Sequence, residues 1–195
     1  MSLDTNRTPL LEMLSEYARR WPSEHHVVDA FIAFVTSTER CFFRDYPSGH
    51  ITASAWVVDP TASQVLLLHH AKLRKWMQPG GHADGNPVVI DVARQEVLEE
   101  TGVDALDLAV DGIFDLDIHP IPARGSDGEH LHYDVRFAFR TPTTVLIGNH
   151  ESTDIAWIPL HKLTSVTSEP SILRMATKWN QVSAVTNAPS SLTRP

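Results

Sequence analysis

Cysteine is nearly absent from this chain. Cys41 is the only one in 195 residues, which excludes an intrachain disulfide framework and fits a reducing compartment. No run of about 18 apolar residues occurs, so no transmembrane helix and no membrane partner are expected. Positive charge is also scarce: 16 Lys and Arg stand against 24 Asp and Glu, a net charge of −8. That balance argues against non-specific binding to a long nucleic acid. It leaves a small phosphate ester open as a ligand, because bound divalent ions reverse the local field. The first residues, Met1-Ser2-Leu3-Asp4, lack a basic region followed by an apolar stretch, so no secretory signal is expected. The expected location is cytoplasmic. Hydrophobic residues at 42% and charged residues at 21% read as a globular chain, and the length suits one domain with an appendage.

The organisation of the chain changes near residue 47. Before it, Thr8-Pro9 reads as a helix start, followed at helical spacing by Leu10, Leu11, Leu14, Tyr17, Ala18 and Trp21. Pro22 ends that segment, Ser23 suits a cap, and Val27, Val28, Phe31, Ile32 and Val35 form the apolar face of a second helix. After Pro47-Ser48-Gly49 come short β-like runs at 51–59, 65–70, 106–118, 130–140 and 155–158. Residues 125–128 read as a turn, residues 168–181 as a final helix entered through Pro170, and residues 184–195 as a disordered tail. The expected division is a helical extension over 1–47, a main domain over 48–183 and the tail. Strands on both sides of one well-marked helix, then a last helix, suit a mixed sheet covered on both faces.

The densest chemistry lies in one helix. Glu96, Glu99 and Glu100 stand at i, i+3 and i+4, so they project from one helical face. Like charges so close destabilise a helix unless a cation sits among them. An all-oxygen cluster suits a hard divalent ion, Mg²⁺ or Mn²⁺. The helix is preceded by the loop Gln78-Pro79-Gly80-Gly81-His82-Ala83-Asp84-Gly85-Asn86-Pro87, whose adjacent glycines let backbone approach an ion or phosphate. Asn86 suits an N-cap, Pro87 the first helical position and Gly102 the C-terminal stop.

Gly81 to Val103 resembles the Nudix box, G-x5-E-x7-R-E-U-x-E-E-x-G-U, where U is a bulky apolar residue. Gly81, Glu96, Val97, Glu99, Glu100, Gly102 and Val103 fall on the pattern, whereas Pro87 replaces its first Glu and Gln95 its Arg. The two departures remove an acid and a base together, so no orphan charge remains. The resemblance implies a Nudix-type α/β/α sandwich with a mixed sheet, here with an N-terminal helical extension. It implies Mg²⁺- or Mn²⁺-dependent hydrolysis of a nucleoside diphosphate linked to a group X. It also implies metal ligation by Glu96, Glu99, Glu100 and the carbonyl of Gly80, and admits a homodimer. The general base is left open among Glu99, Glu100 and Glu151, the last from the segment Glu151–Leu160, which resembles the acidic loop and Trp-bearing strand of the family. Two rivals stand beside this reading: a Nudix-fold nucleotide-binding or regulatory module without hydrolysis, and a Nudix-fold isomerase of isopentenyl diphosphate. The second would need a catalytic cysteine close before the box, and Cys41 lies in the helical region instead.

Eleven histidines are the remaining chemical resource. His130, His132 and Asp134 alternate on one strand and share a face. A zinc site, a pocket wall and a plain solvated face remain open for them. His82 follows the box glycines, within reach of a phosphate. Lys72, Arg74 and Lys75 read as a solvated basic connection. Trp56, Trp76, Phe114 and Tyr133 are the aromatic candidates for stacking on a base.

Overall fold

The computed structural model describes residues 6–125, 128–147 and 152–186. The chain opens with two helices, α1 (Thr8–Arg20) and α2 (His25–Ser37), joined by a single 3₁₀ turn at Pro22–Glu24. Strands β1 (Gly49–Val58), β2 (Gln64–His70), β3 (Lys75–Met77) and β4 (Gly80–His82) follow, then helix α3 (Val89–Thr101). Strands β5 (Asp107–Leu108), β6 (Asp115–Ile121), β7 (His130–Arg140) and β8 (Ser152–Pro159) lead to a short α4 (Leu163–Val166) and the long α5 (Pro170–Thr186).

All eight strands join one mixed sheet, with β1 parallel to β7 at its centre and antiparallel pairs elsewhere. Strand alternation splits the residues of β1 between two cores. Ile51, Ala53, Ala55 and Val57 join Leu10, Leu14, Phe31, Val35, Val92 and Val97 from the three N-terminal helices. Trp56 and Val58 join Ile172, Met175 and Trp179 of α5. This is the expected α/β/α sandwich. Helices α1 and α2 cover the same sheet face as α3, which gives the N-terminal addition a packing role.

Several local expectations need correction. Helix α3 begins at Val89 rather than at Pro87, because the side chain of Asn86 accepts a hydrogen bond from the Val88 amide at 2.9 Å. That bond closes a local turn and leaves Pro87 outside the helix. The expected strand over 106–118 is two strands, divided at a bend containing Gly112, whose φ is +68°. The glycine-rich loop is partly strand, since Gly80, Gly81 and His82 pair with Ser54, Ala53 and Thr52 of β1. Helix α5 runs past Gln181 to Thr186 and takes in the first residues of the expected tail. The centre of the turn at 125–128, Glu151 and the tail from residue 187 lie outside the described residues.

A buried charge network ties α5 to the sheet. Arg136 donates to Asp134 at 2.7 Å and pairs with Asp115 at 3.1 Å and Asp117 at 3.2 Å. Arg174 of α5 reaches Asp115 at 2.8 Å and Asp117 at 2.7 Å. Lys178 bonds Asp115 at 2.6 Å, Glu24 at 2.8 Å and the Tyr17 hydroxyl. Burial alone would raise the Asp115 and Asp117 carboxyls. The hydrogen bonds and charges of Arg174, Arg136, Lys178 and His119 outweigh it and hold both below the ordinary carboxylate range. A depressed folded-state pKa means the unfolded chain takes up protons first as the solution is acidified. The network's contribution is therefore complete above about pH 5 and is lost as pH falls through about 4 and below. Urea titrations from pH 6 to pH 2.5 should show a midpoint that drops across the acid end, with a smaller drop in Asp117→Asn. A flat midpoint would contradict this assignment.

Candidate active site

Strand β4 runs along β1 with α3 packed over it, so Gly81 faces the acidic helix. A methyl group at Gly81 would fall 2.2 Å from Glu96 Oε1 and 2.5 Å from its carboxyl carbon. Glu96 therefore occupies the space that the absent side chain leaves. The Gly80 amide donates to Glu100 Oε2 at 3.0 Å. Gln95 donates from Nε2 to Glu99 Oε1 at 2.6 Å, so the residue standing where the pattern has Arg restrains one of the three carboxylates. Glu96 and Glu100 are half-buried and Glu99 is exposed.

The helix carrying them is well terminated. Gly102 adopts a left-handed conformation at φ +72° and its amide closes on Leu98 O at 2.9 Å. Val89, Val92, Ala93 and Val97 are buried on the sheet side, leaving the acidic face toward β4 and solvent. Two of the three carboxylates, Glu96 and Glu100, lie against the glycine bend, and oxygen donors of this kind are what a hard divalent ion favours. The space at Gly81 is what admits Glu96: a side chain there would push that carboxylate away.

On the strand that follows residue 151, Asp154 caps the amide of Ile155 at 2.8 Å on the surface, and Trp157 donates to Thr144 O at 3.1 Å while packing on the first core. Cys41 is fully buried. Trp56 and Phe114 are fully buried in the second core and Tyr133 stacks on Phe34 with ring centroids 3.9 Å apart, so these three serve packing rather than an open base-stacking surface. Lys75 pairs with Glu169 at 2.8 Å. Asp134 is not aimed at the same point as His130 and His132. It accepts from Thr52 at 3.0 Å, Ser54 at 2.8 Å and Arg136. A plain solvated face does not describe this strand, since Asp134 is buried and His132 half-buried. His82 faces away from α3 and packs near His50, with ring centroids 4.9 Å apart.

His50 escaped the sequence reading. The one available signal was the polar alternation His50, Thr52, Ser54 within an otherwise apolar strand, and that pattern does not name the partner. The charge network on β6, β7 and α5 was equally hidden, although Asp115 and Asp117 alternate visibly.

The NUDIX domain family model matches residues 49–179. Among solved structures, the chain is similar to a C. elegans Ap4A hydrolase in a binary complex, with TM-score 0.56 and 16% identity over 69% of this chain and 98% of that one. It is similar to a NUDIX-family hydrolase from Clostridium perfringens, with TM-score 0.51 and 21% identity over 68% of this chain and 97% of that one. The NUDIX domain of Shewanella oneidensis NrtR, crystallised with ADP ribose, aligns at TM-score 0.52 and 14% identity over 77% of this chain and 97% of that one. At such identities the structural likeness speaks for the fold alone. No curated protein sequence matches the chain.

Proposed function

The chain belongs to the Nudix family, and from that premise we propose that it hydrolyses the diphosphate linkage of a nucleoside diphosphate bonded to a second group X. The family and fold go with hydrolysis of phosphoanhydrides in general. The observation that carries the specific reading is the seating of Glu96 in the space left by Gly81, with Glu100 bonded to the Gly80 amide.

Glu96, Glu99 and Glu100, with the carbonyl of Gly80, are the proposed ligands of Mg²⁺ or Mn²⁺. A divalent ion held there would neutralise the phosphate oxygens and acidify a water molecule. The chain's own part is positional. Gly81 makes room for one carboxylate, the Gly80 amide fixes a second and Gln95 restrains a third. A carboxylate among Glu99, Glu100 and Glu151 takes the proton of the attacking water. The water oxygen bonds to one phosphorus, the bridging P–O bond breaks, and a nucleoside monophosphate and phosphorylated X leave. The proposed catalytic unit is 48–183, with 1–47 as a covering extension.

The direct test is a panel of dinucleotides, nucleotide sugars and nucleoside triphosphates, incubated with Mg²⁺ or Mn²⁺ and analysed by product mass. Cleavage within the phosphate chain that chelation abolishes is the expected result. Nucleotide binding without product across the panel would favour a binding module instead.

A further inference from the structure

Five histidine rings meet on the sheet face opposite α3. The central parallel register sets His50 of β1 directly beside His132 of β7, and the neighbouring antiparallel register sets His119 of β6 on the other side of His132. His130 lies two residues earlier on the same face of β7. Ring centroids are 4.7 Å apart for His50 and His132, 5.0 Å for His50 and His130, and 5.4 Å for His130 and His132. His82 of β4 closes the group, 4.9 Å from His50 and 5.1 Å from His132.

Buried imidazoles normally have hydrogen-bond partners. His50 is 2% exposed, yet neither of its ring nitrogens has a partner among the described residues, and Nε2 of His132 has none. One potential ligand atom from each of His50, His130 and His132 lies within 4.8 Å of the others.

We propose that His50, His130 and His132 form a second metal site, distinct from the glutamate cluster, that binds a borderline-soft divalent ion, in the first place Zn²⁺. Imidazole nitrogens favour such an ion over Mg²⁺. A tetrahedral zinc with bonds of about 2.0–2.1 Å requires nitrogens roughly 3.3 Å apart. The widest pair must therefore close by up to about 1.5 Å on binding. Nδ1 of His130 lies 2.8 Å from the carbonyl oxygen of Gly128. A hydrogen there holds the tautomer that frees Nε2, the outer contact typical of metal-bound histidine. The His82 and His119 rings pack against His132, with centroids 5.1 Å and 5.4 Å away.

The site lies across β4 from the carboxylates. Gly81 points toward Glu96 and its neighbour His82 toward the histidines. Bound there, zinc would tie β1 to β7, the central strand pair. The proposal does not rest on the hydrolytic reading, because its ligands and its metal differ from those of the box.

The test uses full-length protein without a histidine tag, stripped with chelator and titrated at pH 7 with Co²⁺ as a spectroscopic stand-in for Zn²⁺. One equivalent with the intense visible absorption of a tetrahedral site is expected, displaced by Zn²⁺ and retained in Glu100→Gln. His130→Ala should weaken binding by at least the roughly 10–100-fold that loss of an outer contact alone causes, and His50→Gln should do likewise. Should the buried His50 variant fail to fold, the half-exposed His130 position decides. Absence of tetrahedral absorption, or absorption that survives both histidine variants, would overturn the site, as would absorption abolished by Glu100→Gln.

Discussion

Glu100→Gln should lower divalent-metal-dependent turnover by at least about 10²-fold while leaving the thermal midpoint nearly unchanged. The two halves of this expectation have separate causes. The amide oxygen of Gln still accepts the hydrogen bond that Gly80 N–H donates to Glu100 at 3.0 Å, so the joint between β4 and α3 survives. The negative charge does not survive, and with it goes one proposed anionic ligand for a hard ion. Losses of this size are ordinary when a group acting on the reacting atoms is removed. The measurement is product formation on whichever substrate the panel identifies, with a melting curve of the same sample. A folded Glu100→Gln protein with near-normal turnover would defeat the proposed mechanism.

The second large effect separates two adjacent glycines. Gly81→Ala puts a methyl 2.2 Å from Glu96 Oε1, but that oxygen is the far end of a flexible side chain. The carboxylate swings away at little cost to the fold and leaves the cluster misaligned. Displacement by about 1 Å is enough to cost on the order of 10² in rate, so a comparable loss is expected with a midpoint shift of only about 2–3 °C. Gly80→Ala is different, because its methyl would meet Ser54 Cβ at 2.3 Å, Ser54 Cα at 2.8 Å and the Ala53 carbonyl oxygen at 2.9 Å. Those atoms belong to the central strand and cannot yield without shifting β1. Overpacking of this kind costs about 1–3 kcal/mol, read as a midpoint lower by roughly 5 °C. Paired melting and turnover measurements on both variants make the comparison. If Gly81→Ala proves the more destabilising and keeps its activity, Glu96 is not held as described.

The acidic helix was legible because its signals are short-range. Glutamates at i, i+3 and i+4 share a face by helix geometry alone, and Gly102 ends the helix through its own left-handed conformation. The helix start was misplaced by two residues because Asn86 has two local uses, capping a helix or closing a turn. The hydrogen bond to Val88 decided for the turn. Strand β4 was missed for another reason. Three residues rich in glycine carry no alternation, and Gly80–His82 becomes a strand only because β1 lies beside it.

Local pattern determined a mixed sheet covered on both faces and a helix that carries three glutamates on one face beside a glycine bend. Tertiary structure alone decided that His50 would meet His132 and that Arg136 would be enclosed by Asp115, Asp117 and Asp134. A helix repeats its contacts within a few residues, so its face can be read along the chain. A sheet sets its contacts by the register between distant strands, and no local run of residues encodes that register.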